Sequence, residues 1–593
     1  MNGTQIFMAK PLVYTPRTRF TNGKPASGDK QLVIAISESN WIYVLDAKSG
    51  DVINSRQIRK PYQASDLPCA DITPAIGVTG TPVIDPATDT IYAFAKGYSG
   101  NATGWMNAGY FVHALDILTL EERSGFPTTV GGPADNDPER YFNGGIHLQR
   151  PALKIVNGIV LGGFGGGCGE FNQTGWIAGV DTQTGTLKTL FVTESGPEAP
   201  AIGQGFYTGG GGGSVWQAGI GFPSDRKDRF FFVGGNGIAF NATMKPSAGN
   251  APPSLLEGCV VNMKIDSSGK ISPQDYFRPY NYPSYGSSSR DLGSGGLTIL
   301  DPNYFSGKNV KRLAIAAGKN GFIYLVDLDN LGGYRQGVNG TDAVLQALAI
   351  PGISTKVLIY GSTASYPLEG GYIYLKPVGL RTVLAYKFGQ KDGMPFFSLV
   401  AQTNESVPTN VGVGVPIITS YQGQPGTGIV WILDLILGLT AYKAVPENGN
   451  LVSISIPALA GRPKFQRPVF GDRRLYVATT DGQIICYGNS KDKLLQVQPI
   501  IGAYSHQGCF TESTPGGALS QKALSSDAMT VEVCEEACRD YIYFGVEYGR
   551  ECYCGSSLAP NATLVDNPFC DVPCAGNSSE RCGGRRHLNV YKK

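Results

Sequence analysis

A phrase repeated eight times between residues 41 and 493 constrains this chain more than any other feature. Its clearest copy is LAIAAGKNGFIYLVDLDNLGG, Leu313–Gly333, in which two short apolar runs flank the Gly318-Lys319-Asn320-Gly321 turn. An Asn-Gly step suits the positive φ angles of a tight hairpin, so the stretch reads as the middle of a four-stranded meander. Related wordings are WIYVLDAKSGDV (41–52), FVHALDILT (111–119), WIAGVDTQTGTL (176–187), VVNMKIDSSGK (260–270), TVLAYKFGQKDG (382–393), LGLTAYKA (437–444) and GQIICYGNSKDK (482–493), one copy roughly every 63 residues.

A second series precedes the first, with glycine or proline beside a short apolar run: KPLVY at Lys10, GTPVID at Gly80, QRPALKIV at Gln149, GSVWQAG at Gly213, GSGGLTIL at Gly293, GSTASYP at Gly361, GVGVPIIT at Gly412 and QRPVF at Gln466. Small residues let innermost strands crowd a narrow axis. Eight inner strands for eight hairpins predict an all-β chain folded as an eight-bladed β-propeller, with seven blades the alternative because the last two units are short.

Composition agrees: 80 glycines and only 16% charged residues suit a turn-dense β fold. A net charge of +2 without lysine or arginine clusters argues against nucleic acid or an anionic membrane as the principal partner. No apolar run reaches the ~18 residues of a membrane span; the stretch 429–439 is short, carries Asp434, and reads as a core strand. Four histidines, none at metal-ligand spacing, predict no metal centre of that kind. The glycine run Gly163–Glu170 lacks the Gly-Lys-Ser/Thr ending of a phosphate loop and reads as turn glycine, and His147 and Arg150 read as blade caps.

The passages SDLPCADITPAIGVTGTPVIDPATDTIYAFA (65–95) and RPALKIVNGIVLGGFGGGCGEFNQTGWIAGVD (150–181), together with GGGGGSVWQAG and DLGSGGLTIL, resemble the quinoprotein alcohol dehydrogenase-like, or PQQ-like repeat, propeller superfamily across roughly residues 5–490. That resemblance implies pyrroloquinoline quinone (PQQ) and Ca²⁺ at the propeller axis in its dehydrogenase members. No Cys-Cys dipeptide of the kind those enzymes place over the quinone occurs here, but Trp216 would supply the aromatic floor, and Glu170, Asn236 and Asp291 are the candidate catalytic and metal-proximal residues. Cys69 and Cys168 lie in loops of neighbouring blades and are expected to form a bridge; Cys259 and Cys486, in apolar strand context, are expected to be buried thiols.

After residue 495 the chain changes character: Cys509, Cys534, Cys538, Cys552, Cys554, Cys570, Cys574 and Cys582 fall within a short C-terminal region. Such density marks a core too small to stand without crosslinks, and four disulfides are expected, with the pairing left open and a zinc ribbon as the competing reading. The motifs GCF (508–510), MTVEVC (529–534), YFGVEYG (543–549), ECYCG (551–555) and CGG (582–584) resemble a fungal-type WSC domain. The expected division is a propeller at 1–495, a linker at 496–501 and the WSC module at 502–593.

Membership of the WSC family implies carbohydrate binding, and sugar rings stack their C–H faces on aromatic side chains. Tyr543, Tyr548 and Tyr553 are the candidate contacts. The cysteine pattern requires an oxidising compartment, and eight sequons, at Asn2, Asn101, Asn172, Asn241, Asn339, Asn404, Asn561 and Asn577, offer glycosylation sites. The N-terminus shows neither the basic segment nor the apolar core of a signal peptide, so secretion is expected on those indirect grounds. Two readings follow: a secreted, monomeric protein that binds cell-wall glycan and uses its propeller as a ligand or partner platform, or a quinone-dependent sugar or alcohol oxidoreductase held at polysaccharide by the WSC module.

Overall fold

The computed structural model describes residues 5–16, 20–21, 24–25, 31–67, 72–167, 173–199, 210–237, 245–286, 288–354, 357–403, 410–459, 463–488, 497–512, 517–565, 567–570 and 572–593. Its contacts divide the chain into two units, Met1–Gly471 with Leu475–Cys486, and Asp472–Arg474 with Tyr487–Lys593.

The first unit is an eight-bladed β-propeller. Blade 1 orders Leu12–Tyr14, Leu32–Ile36, Trp41–Asp46 and Val52–Gln57 as an antiparallel meander, and blades 2, 3, 5, 6 and 7 repeat that order. Blade 8 shows three strands among the described residues, beginning at Val469–Gly471. The repeated hairpin phrase supplies the third strand of its blade, except in blade 4, where Val260–Ile265 is the second strand of the sheet. Because each sheet is sandwiched between two others, strands such as Leu32–Ile36 and Thr90–Tyr98 are buried throughout rather than on alternate residues. The core is accordingly a ring of clusters between blades: Phe94, Tyr110, Phe164 and Trp176 join blades 2 and 3, and Phe7, Tyr43 and Tyr476 join blades 8 and 1.

The aspartate that ends the phrase has a structural task. Asp46 Oδ1 accepts the backbone N–H groups of Lys48 and Ser49, Asp116 those of Leu118 and Thr119, and Asp181 those of Gln183 and Thr184. Each closes the turn into the fourth strand, which is why the side chain recurs at one register.

One inner strand departs from expectation. Residues of GSVWQAG form not a strand but a 3₁₀ turn, Gln217–Gly219, with Gln217 and Ala218 at φ 49° and 47°. The sheet of blade 4 instead begins at Arg229–Val233 and gains Gly333–Tyr334 as a parallel outer strand. Its exposed ladder is satisfied by the Gln217 side chain, whose Oε1 accepts the Val233 N–H at 2.9 Å, and by Pro223 O, which accepts from Phe231 N.

The second unit is an antiparallel sheet in the order Ile500–Ile501, Tyr504–Thr511, His587–Lys592, Tyr543–Glu547, Glu551–Gly555 and Gln521–Ser525, with Leu564–Val565 beside Tyr504–Thr511. The helix Val531–Ala537, capped by the Thr530 hydroxyl on Val533 N, packs on it. Four disulfides pair Cys509 with Cys570, Cys534 with Cys552, Cys538 with Cys554 and Cys574 with Cys582. This pairing disposes of the zinc reading for these sulfurs. Cys69 and Cys168 lie outside the described residues. Cys259 is buried as expected, but Cys486 is exposed, on a short strand, Ile484–Tyr487, none of whose residues is fully buried.

Candidate functional sites

In the C-terminal sheet the period-two alternation separates two chemistries. Phe544, Val546, Cys552, Cys554 and Tyr591 face the helix and the disulfide core. Tyr543 and Tyr553 face the opposite way on adjacent strands, with Tyr553 across from Gly545 and Tyr543 across from Gly555. Both rings are half-buried against Leu519, Leu588 and Val590. Each carries an ammonium group: Lys592 Nζ lies 5.5 Å from the Tyr543 centroid and Lys522 Nζ 5.7 Å from that of Tyr553. Lys522 also pairs with Glu551, which accepts the Tyr553 hydroxyl at 2.8 Å. The face therefore offers two aromatic surfaces bordered by hydroxyl, ammonium and carboxylate groups. Tyr548 stands apart, exposed at φ 51° in the turn that joins these two strands.

Glu547 lies across from Glu551 on this face. Burial, with Glu512 and Glu551 close by, pushes its carboxyl up to about 8, whereas Glu551, despite burial, is held below the ordinary carboxylate range by Lys522 and Tyr553. A carboxyl raised in the folded state binds a proton that the unfolded chain has lost, so its contribution is full below about pH 4.5 and lost as pH rises to about 8. Glu547→Gln is expected to flatten the fall in thermal stability between pH 5 and 8 and to stabilise the protein at pH 8 by about 1–2 kcal/mol, a figure reduced for solvent screening. Parallel melting curves of the two proteins across that range check it.

Three of the propeller candidates converge. Gly213 N donates to Asn236 O at 2.7 Å, Gly235 N to Ser214 O at 2.8 Å and Gln217 N to Gly293 O at 2.9 Å, so the loops bearing Trp216, Asn236 and Asp291 abut. Glycine is obligatory there: a Cβ on Gly293 would stand 2.5 Å from Gly235 N, and one on Gly165 2.5 Å from the half-buried Trp216 ring. Asp291 is buried, with its carboxylate 2.7 Å from Lys319 Nζ and accepting Ser294 N at 2.9 Å. Asn236 Oδ1 is buried and, among the described residues, meets no hydrogen-bond donor. Glu170 lies outside the described residues. Among the described residues Asn236 and Asp291 offer one amide oxygen and one carboxylate already neutralised by lysine, and the buried carboxylates of Glu194 and Glu257 stand beside the same loops, where a Cβ on Gly213 or Gly237 would meet them.

His147 caps its blade, with its ring nitrogens 2.6 Å from Asn143 O and 3.0 Å from Thr174 O, and burial pushes it down to about 4. Arg150 turns instead toward residues of blade 8. The sequence gives no sign of Lys522, about thirty residues from the Tyr553 ring it borders; only the strand register brings the two together. Of the sequons, Asn101, Asn339 and Asn561 are exposed, whereas Asn577 is half-buried and donates its amide to Glu580; Asn2, Asn172, Asn241 and Asn404 lie outside the described residues.

Residues 506–584 match the WSC domain family model. A WSC domain-containing protein of Arthroderma benhamiae is 36% identical over 94 residues, covering 16% of this chain and 13% of that protein. Human (Homo sapiens) Kremen protein 2 is 40% identical over 88 residues, covering 14% of this chain and 19% of that protein. The chain thus spans well under two thirds of these relatives. Among solved structures, the quinohemoprotein alcohol dehydrogenase of Comamonas testosteroni aligns with a TM-score of 0.49 at 14% identity, covering 80% of this chain and 70% of that one, a likeness of fold alone.

Proposed function

From a C-terminal WSC domain as premise, we propose that this protein binds an extracellular, cell-wall type glycan through the sheet face carrying Tyr543 and Tyr553, and that its propeller serves as a ligand or partner platform. The observation that carries this reading is the pairing of two half-buried tyrosine rings with the Lys522–Glu551 rim on one side of a disulfide-locked sheet. Aromatic faces take the C–H surfaces of pyranose rings, and the rim groups exchange hydrogen bonds with hydroxyls. Four disulfides and three exposed sequons support an oxidising, extracellular setting.

Retention of the full chain on insoluble β-glucan, chitin and mannan tests it. Tyr553→Ala is expected to weaken retention on the preferred polymer about tenfold, the loss of one stacked ring, and Tyr548→Ala to weaken it if the turn also reaches the glycan. Equal retention of wild type and Tyr553→Ala on every polymer removes this face from the binding site.

A second reading, a quinone-dependent oxidoreductase of sugars or alcohols, draws its support from the convergence of Trp216, Asn236 and Asp291. A melting shift that requires both PQQ and Ca²⁺ would favour it, and its absence at saturating ligand leaves the propeller as a platform.

A further inference from the structure

Two inner strands open on the same tripeptide, Gln149-Arg150-Pro151 in blade 3 and Gln466-Arg467-Pro468 in blade 8. The glutamines hold backbone: Gln149 Nε2 donates to Pro151 O, and Gln466 Nε2 to the carbonyls of Phe7, Met8 and Ala9. The arginines meet at the propeller's inner strands. Arg150 reaches Thr79 O and Lys464 O, each at 3.5 Å, and lies 5.6 Å above the Phe465 ring. Arg467 reaches Gly219 O at 3.5 Å, and a Cβ on Gly219 would stand 2.8 Å from Arg150 Nη1, so the two guanidinium groups flank one glycine. Lys10 joins them: burial and then the Arg467 charge push its ammonium down to about 7, and burial pushes both arginines down to about 10.

These three cations lack what the fold gives its other buried arginines. Arg229 is paired with Asp225 and Asp329, and Arg278 donates to Leu255 O at 2.6 Å and Glu257 O at 3.1 Å. Among the described residues no carboxylate lies within ion-pair distance of Lys10, Arg150 or Arg467, and the arginines' contacts at 3.5 Å sit at the limit of a hydrogen bond. The acid that acts on Arg150 is Glu38, whose Oε2 accepts both Gly77 N and Thr79 Oγ1 and whose carboxyl is itself pushed up to about 7 by burial, leaving one buried oxygen, Oε1, to answer three cations. Lys10 and Arg467 keep part of their surface open, so they are not sealed into the solid core. Like charges removed from water without a counter-charge are costly, and a bound anion relieves both the repulsion and the unused donors.

We propose that the axial channel of the propeller binds a small multivalent oxyanion, a di- or tricarboxylate or a phosphate, between Lys10, Arg150 and Arg467. The planar guanidinium forks suit either oxyanion, and the site is independent of the glycan face.

The test uses full-length protein dialysed free of carboxylate and phosphate, titrated calorimetrically with citrate or inorganic phosphate at constant ionic strength, with glucose as the neutral control. Saturable binding of one anion, absent with glucose, is expected, and the two arms tell a carboxylate from a phosphate ligand. Arg467→Gln is expected to weaken that binding at least tenfold and, without anion, to raise the melting temperature by relieving repulsion. Should that variant fail to fold, Lys10→Met is expected to show the same loss of affinity. No saturable response to either anion, an unchanged affinity in the variant, or a lower melting temperature of anion-free Arg467→Gln would overturn the proposal.

Discussion

Serine at Cys534, Cys538, Cys552 and Cys554 together unfolds the C-terminal module while the propeller stays intact. Cys534 and Cys538 stand one turn apart on the helix Val531–Ala537 and its cap, and Cys552 and Cys554 share one face of the strand Glu551–Gly555, so the two bridges rivet the helix to the sheet along one line. They close segments separated by 18 and 16 residues, loops for which a crosslink contributes about 3 kcal/mol by restricting the unfolded chain. Because both close nearly the same loop, the joint loss is less than the sum, about 4–5 kcal/mol. Cysteines make up nearly half of the core they cross, beside Ile501, Tyr504, Met529, Val531, Phe544, Val546 and Tyr591, so removing four of them strips much of what holds the helix. Limited proteolysis of the full chain, mapped by mass spectrometry, should show new cleavage confined to residues 497–593. Continued protection there would mean that the sheet stands without its rivets.

The propeller was legible because its repeat is written in side chains that do local work. Glycine at the inner strands, apolar third strands and the aspartate that closes the following turn recur at fixed register, and Asp46, Asp116 and Asp181 make the same pair of turn bonds. The fourth inner strand was misread because GSVWQAG carries the same letters but a different backbone: Gln217 and Ala218 turn left-handed, and a side-chain amide replaces a neighbouring strand. Cys486 was misplaced because apolar neighbours in sequence say nothing of which side of a terminal blade is covered. The proposed glycan face was half legible. Alternation within YFGVE and ECYCG puts Tyr543 and Tyr553 on one side, but Lys522 and Lys592 arrive from distant strands through pairing alone. Arg150 shows the same limit from the charge side: a net charge of +2 over 593 residues conceals three cations gathered at one point.

Gln466→Leu is expected to loosen the ring itself. A propeller has no edge only while its last blade holds the chain's beginning, and one amide contributes three bonds to that hold: its Nε2 donates to Phe7 O at 3.0 Å, Met8 O at 2.8 Å and Ala9 O at 3.0 Å. Leucine keeps the bulk but removes the donor, leaving buried carbonyls that water reaches only if the segment lifts away. A buried acceptor stripped of its partner costs about 1–3 kcal/mol, and since one NH₂ group serves three acceptors the whole loss is expected at about 2–4 kcal/mol. Phe7 would resist, being packed with Tyr43 and Tyr476, and so would the pairing of Leu12–Tyr14 with Leu32–Ile36. The expected signature is therefore local first: faster amide exchange at residues 5–10 and early protease cleavage there, followed by a lower melting temperature of the propeller. Since Lys10 lies at the end of the same segment, anion affinity should fall together with that protection, whereas glycan retention through the Tyr543 and Tyr553 face should not change. An unaltered exchange pattern would place ring closure in the Phe7 packing rather than in the glutamine clasp.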